Sequence, residues 1–401
     1  MVEPETLLRA LFARAVQVAD PMASLAAHLP PRPPGRVVVV GAGKASARMA
    51  EAVEAAWGPC EGLVITRYGH QRPCQGVEIV QAAHPVPDAA GVRATARMLD
   101  LVSSLTPQDF VLALISGGAS ALLCAPVSMT LAEKQAITAG LLASGAPIGQ
   151  MNIVRKHLSR VKGGQLAAAC KAPMLALMIS DVPGNDMALI GSGPTVGDAT
   201  TAKDAAAILT RWGLAVPEAL SRSTVIPPGD PRLSRVTNRI YAAPSQSLAA
   251  AKALAEAQGI PTRILGDALE GEARDVARQM AALVRRETGP LLLLSGGELT
   301  VTKRGNGIGG PNAEFALALA IQGLNLHALA CDTDGVDGAA EVAGAVISPV
   351  TLPRARALGL DPQAFLDRND AHSFFAALGD QVITGPTLTN VNDFRAILIP
   401  G

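Results

Sequence analysis

The chain has 401 residues, 49% of them apolar, enough for two or three folded domains with sizeable cores. Lys and Arg total 34 and so do Asp and Glu, so the basic excess that nucleic-acid or anionic-membrane binding draws on is missing, and aromatics at 3% leave little to stack on bases. Small polar ligands are the expected partners, with no nucleic acid and no membrane.

In the first residues Leu8, Leu11, Phe12 and Ala15 recur at helical spacing, and Glu3 and Glu5 stand where a signal peptide is basic. This helix fits either domain. No window reaches the ~18 apolar residues of a membrane span. The five cysteines, Cys60, Cys74, Cys124, Cys170 and Cys331, are odd in number and form no Cys-x-x-Cys, so they read as reduced thiols in a cytoplasmic protein. Four runs, Val37–Val40, Phe110–Ile115, Met174–Ile179 and Leu291–Leu294, are apolar throughout and lead into Gly or Ser. Such runs suit strands of a parallel sheet with both faces covered, which predicts an α/β fold. The proline-rich stretch Val225–Arg235 reads as a linker and divides the chain into domains at 1–234 and 235–401.

Gly41-Ala-Gly43-Lys44-Ala-Ser46 follows the first strand, where glycines let backbone N–H groups approach a phosphate and Lys44 adds a charge. Val38 stands where a Walker glycine would be, and Ser46 replaces the third glycine of the dinucleotide fingerprint. Ser116-Gly117-Gly118-Ala119-Ser120 and Ser295-Gly296-Gly297-Glu298 are two further strand exits, the place where ligands bind in open α/β sheets. The nucleophile elbow of serine hydrolases is absent from the first of them. From Lys134 to Ser180 there is no Asp or Glu, while Lys134, Arg155, Lys156, Arg160, Lys162 and Lys171 all occur, which marks a candidate anion site or a solvated basic face. Within it, Asn152 to Gly164 reads as one helix that buries Val154, Leu158 and Val161 and aligns Arg155, Ser159 and Lys162 toward a carboxylate or phosphate. His157 reads as structural.

Asp181 ends a strand, where a carboxylate can orient a hydroxyl or hold Mg²⁺, or merely form a turn. The glycine-rich loop Gly305–Gly310, ahead of a helix, reads as a lid or a second phosphate cradle at Gly309 and Gly310. Asp332, Asp334 and Asp337 crowd one short stretch, and Val336 and Ala343 rule out an EF-hand. Hard-cation binding by one or two of these carboxylates together with nucleotide phosphates stays open.

Taken in order, GAGKAS, AAHPVPD, LISGGASALL, NIVRKHLSRVKGGQLA, SDVPGND, SGPTVGD, LSGGELTV, GGPNAEFALA, TDGVDGAAEVAGA and TGPTLTNVND resemble the glycerate 2-kinase family, long labelled hydroxypyruvate reductase. The resemblance implies a Rossmann-like N-terminal domain with a mainly parallel sheet, a C-terminal MOFRL domain, and an active site in the cleft between them. It implies phosphoryl transfer from ATP, with Mg²⁺, to the 2-hydroxyl of D-glycerate, and leaves a homodimer open. On it, Lys44 and Asp181 are the catalytic candidates. Ser116, Gly117, Gly118, Ser120, Arg155 and Lys156 are expected at the substrate, Gly41, Gly43, Gly296, Gly297, Gly309 and Gly310 at the nucleotide, and Asp334 and Asp337 at the metal. Pro311 departs from the pattern, standing where an Arg is common. The rival readings are an NAD(P)H-dependent hydroxypyruvate reductase and a non-catalytic nucleotide or glycerate sensor.

Overall fold

A computed structural model describes residues 3–401 and shows the expected α/β architecture, with two six-stranded sheets among the described residues. The first sheet is built from β1 (Val37–Ala42), β2 (Glu61–Arg67), β3 (Val77–Ala82), β4 (Phe110–Ile115), β5 (Met174–Ile179) and β6 (Val236–Ala242). Its order is β3-β2-β1-β4-β5-β6, and the pairs from β3 through β5 are parallel. This is the doubly wound arrangement in which strand order reverses at β1, so a crevice opens beyond the carboxyl ends of β1 and β4. β1 and β5 are buried along their whole length and β4 along all but its first residue. That burial is why these strands are apolar throughout instead of alternating.

The second sheet comprises β7 (Thr262–Glu272), β8 (Leu291–Thr300), β9 (His327–Asp332), β10 (Gly344–Ile347), β11 (Gln381–Val382) and β12 (Asp393–Ile399), in the order β11-β10-β9-β12-β8-β7. Only β7 and β8 pair in parallel; the other four pairs are antiparallel. The parallel reading of the Leu291–Leu294 run therefore holds on one side of the strand only. A strand buried on both faces presents the same apolar run whichever way its neighbour points.

The division into units also departs from the sequence boundary. One compact unit holds the segment through Ala23, Asp181–Gly184 and Ala242–Gly401, and the other holds Ser24–Ser180 and Asn185–Tyr241. β6 extends the first sheet, so the boundary falls after it and not at 234/235. The proline-rich stretch is no linker, because Ile226 is buried, its N–H donates to Gly163 O at 2.9 Å and its carbonyl accepts from Asp198 N at 2.8 Å. Helix Pro4–Ala19 belongs to the second sheet's unit, where Leu7, Leu8, Leu11, Phe12 and Ala15 join the core formed with Leu248, Leu292, Leu329 and Phe394. Among the described residues no helix is long and apolar enough to cross a membrane. Phe12 is 3% exposed, with its ring 5.9 Å from that of Phe394. Phe12→Ala should destabilise this unit by about 3–5 kcal/mol, measured as a lower denaturant midpoint at unchanged m-value.

Candidate active site

Two loops leave the first sheet at its reversal point, and one is stapled to the other. Gly43 N donates to Ile65 O at 3.1 Å, Lys44 N to Gly117 O at 2.8 Å, Ala45 N to Ser116 Oγ at 3.1 Å and Ser46 N to Gly43 O at 3.3 Å. Ser46 Oγ reaches Leu114 O at 3.0 Å and Ser116 Oγ at 3.2 Å. A Cβ on Gly41 would sit 2.3 Å from Leu114 O, and one on Gly43, whose φ is +143°, would sit 2.0 Å from Ser116 Oγ. These glycines are thus required by the close approach of β1 to the β4 exit. The nucleotide role expected for Gly41 and Gly43 is corrected accordingly, since the turn's N–H groups already have protein acceptors. The same fact opposes the dinucleotide reading, in which the pyrophosphate needs those groups.

The Ser116–Ser120 loop is different. Ser116 N donates to Ala42 O and Ala119 N to Ser116 O, but the N–H groups of Gly117, Gly118 and Ser120 have no protein acceptor. Open backbone donors at a switch point are the kind of group that an anion uses. Ser116 itself is fully buried, its hydroxyl engaged with Ala45 and Ser46, so it serves the loop's geometry and does not face a ligand. Gly118 adopts φ +83°, and a Cβ there would come within 3.2 Å of Lys44 Cγ and of the His84 ring, which places the Lys44 stem over this turn. His70 Nδ1 lies 3.0 Å from Lys44 O. His70 and His84 escaped the sequence reading as neighbours of the lysine; the HPVP motif held His84, but nothing in its spacing pointed to Lys44.

The basic segment separates into ligand-facing and structural cations. Its helix is Ile148–His157, starting earlier and ending sooner than expected, with Leu158 as its C-cap. Ser159 forms a bridge with Pro126 beyond the helix, and Lys162 is buried there, so the expected stripe is broken after Arg155. Arg155 is half-buried, and its sole hydrogen bond among the described residues is a long one, 3.4 Å, to Asn152 Oδ1. Burial holds its pKa below the usual guanidinium value, the mark of a charge removed from water without a carboxylate partner. Lys156 is the opposite case. It is 2% exposed and ion-paired with Asp198, so its expected contact with substrate is corrected to a structural role.

In the other unit, Asp181 follows the end of β5, and its carbonyl accepts from Asn392 Nδ2 at 2.8 Å. Gly296 and Gly297 are not in a loop. β8 runs through them, and a Cβ on Gly297 would lie 2.1 Å from Leu269 O of β7. Their assignment to a phosphate loop is corrected to a close strand pairing. The loop Gly305–Gly310 is tied down over its first part, through Ile308. Arg304 N and Gly305 N donate to Asn369 Oδ1, Gly307 N to Arg368 O at 3.0 Å and Ile308 N to Asp370 Oδ1 at 3.1 Å. The helix that follows, Pro311–Ala320, is capped from within. Asp337 Oδ1 accepts from Asn312 N at 2.9 Å and Asn312 Nδ2 at 3.3 Å, and Oδ2 accepts from Ala313 N at 2.8 Å, with His372 Nε2 3.0 Å away. Three hydrogen bonds, two of them from the first N–H groups of the helix, tie down this fully buried carboxylate. The metal role expected for Asp337 is corrected to that of a helix cap, and because it occupies the helix N-terminus, Gly309 and Gly310 border no open phosphate site there. Asp334 is buried, and its Oδ1 accepts from Val336 N at 2.8 Å.

Known families match both parts of the chain. The model described as "Domain of unknown function (DUF4147)" matches residues 7–224, and the MOFRL family model matches residues 291–393. A D-glycerate 2-kinase from Thermotoga maritima is 37% identical, with all of both chains covered. The chain belongs to the glycerate kinase family. A crystal structure of glycerate kinase from Thermotoga maritima superposes with a TM-score of 0.88 at 36% identity, covering 99% of this chain and 100% of that one. A protein of Agrobacterium vitis with a provisional hydroxypyruvate reductase name is 50% identical over 99% of this chain and 95% of its own. Family membership brings ATP as the second substrate, and the engaged turn at Gly43–Ser46 gives the reductase label no support.

Two predictions follow from the charges of this family member. Asp337→Ala strands several buried donors and should cost about 3 kcal/mol or more, read as a fall in chemical stability. Lys134 donates to Leu158 O at 3.0 Å, and burial, reinforced by the charge of Arg155, pushes its pKa down to about 8 from 10.5. Between these values the unfolded chain binds the proton that the folded one has released, so stability rises with pH across that window by about 3 kcal/mol from this group. Urea titrations at a series of pH values should show that rise flatten in Lys134→Met.

Proposed function

We propose that the protein transfers the γ-phosphoryl group of ATP to the 2-hydroxyl of D-glycerate, giving 2-phosphoglycerate and ADP. The observation that carries this reading is the set of open N–H groups at Gly117, Gly118 and Ser120 beneath the stem of Lys44, in a unit where Arg155 also lacks a carboxylate partner. That set suits a small anion. The glycerate carboxylate takes the loop N–H groups and the Arg155 fork, which fixes where the 2-hydroxyl stands. Lys44 neutralises charge on the group in transfer, and Asp181 orients the hydroxyl and accepts its proton. A magnesium ion accompanying ATP would supply positive charge to offset that of its phosphates. Asp334, a hard oxygen donor, fits such an ion as a single protein ligand, whereas Asp337 does not.

Phosphorus NMR with Mg²⁺-ATP and D-glycerate should show a 2-phosphoglycerate resonance. A 3-phosphoglycerate resonance, or NADH oxidation with hydroxypyruvate in place of any phosphoester, would overturn the assignment. Lys44→Ala should lower kcat by about 10²–10³-fold with a small change in the KM for glycerate, since its charge acts on the transition state. Loss confined to KM would remove that role.

A further inference from the structure

Lys162 lies beyond the end of helix Ile148–His157, is 1% exposed, and has no carboxylate among its acceptors. A buried ammonium is ordinarily paired with an anion. Here Nζ donates to Ser120 O at 2.8 Å and Leu123 O at 2.9 Å, carbonyls of the single helical turn that follows Gly117 and Gly118. The main chain around it ties the same two segments, with Arg160 N donating to Ala125 O at 2.9 Å and Ser159 bridging Pro126. Ser120 is held from another side by Ser192, with their hydroxyls 2.7 Å apart. We propose that Lys162 is a positioning residue that fixes the Ser116–Ser120 loop to the segment carrying Arg155, keeping the two halves of the glycerate carboxylate seat in register. The inference rests on the proposed function. It assigns Lys162 no contact with substrate.

The groups that face Lys162 electrostatically are Lys134 of helix Leu131–Ala143, Arg155 of helix Ile148–His157, and the Cys124 thiol, which follows the short turn. Burial, with the two cations adding to it, pushes the pKa of Lys162 well down. The neutral amine would still carry two N–H groups, one for each carbonyl, so the tie does not depend on the charge.

Lys162→Met keeps the buried stem and removes the donors. It should raise the KM for glycerate about tenfold or more, with kcat at saturation and the KM for ATP within about threefold, because a seat out of register weakens one substrate only. Lys134→Met is the comparison, a buried ammonium of the same neighbourhood whose acceptor is Leu158 O and not the loop. Its glycerate KM should stay within about twofold of the unmodified protein. An unchanged glycerate KM in Lys162→Met, an equal rise in Lys134→Met, or a joint decline of kcat and both affinities with Tm overturns the positioning role. Should Lys162→Met fail to fold, Lys162→Gln decides: a raised glycerate KM at an unchanged KM for ATP supports the role, and an unchanged glycerate KM or a joint rise of both overturns it. Absence of glycerate turnover by the unmodified protein overturns the functional reading and this inference together, whereas turnover with an unaltered KM in Lys162→Met overturns this inference alone.

Discussion

The candidate site depends on the contact between the exits of β1 and β4. Parallel neighbours at a reversal point leave a crevice, and what fills it is decided by which loop donors are already engaged. Here the β1 turn gives its N–H groups to Ile65, Gly117, Ser116 and Gly43, at distances from 2.8 to 3.3 Å. The approach is so close that only glycine fits at Gly41 and Gly43. The β4 loop, relieved of any need to bond that turn through Gly117, Gly118 or Ser120 N–H, keeps these donors available. One packing constraint therefore turns a nominal phosphate turn into scaffold and leaves its neighbour with open donors.

The two units handle buried charge in opposite ways. Around Asp337 and Asp393 the second sheet's unit sets buried charge against buried partners: Asn312 Nδ2 donates to both carboxylates, and Arg395 donates to Asp393 Oδ2 at 2.8 Å and to the Gly296 carbonyl. Burial pushes the Asp393 carboxyl up and the Arg395 guanidinium down, each opposed by the attraction of its partner. These bonds hold helix Pro311–Ala320, β8 and β12 in register, while Asn312 Oδ1 and the His372 ring nitrogens stay buried without a hydrogen bond among the described residues. Around Lys134, Arg155 and Lys162 the first sheet's unit leaves cations with carbonyl or amide oxygens only. Lys134 and Lys162 spend their donors on main-chain carbonyls, whereas the one hydrogen bond of Arg155 among the described residues is the long one to Asn152.

Several elements were legible from residues alone. The apolar runs of β1, β4 and β5 announce buried parallel strands, and the lack of Asp and Glu from Lys134 to Ser180 marks the cation-rich segment. The motif series carried the family. Less was legible wherever a residue type serves two purposes. A glycine pair after a strand looks the same whether it opens a phosphate loop, as the first turn seemed to, or lets β7 and β8 pair closely at Gly297. An aspartate before a glycine looks the same whether it binds a cation or caps a helix from another part of the chain, as Asp337 does for Asn312 and Ala313.

The sequence by itself determined the α/β class, the membership in a family and the two charge-biased segments, because hydrophobic periodicity, motif order and net charge are properties of neighbours along the chain. Only the tertiary structure decided which donors and carboxylates remain available. That Lys156 belongs to Asp198, that Asp337 caps a helix, and that Gly117, Gly118 and Ser120 keep open N–H groups are outcomes of hydrogen bonds made mostly between residues far apart in sequence. A backbone or side-chain group can bind a ligand only with the hydrogen-bonding capacity its own fold has left unused, and that remainder is set by three-dimensional neighbours.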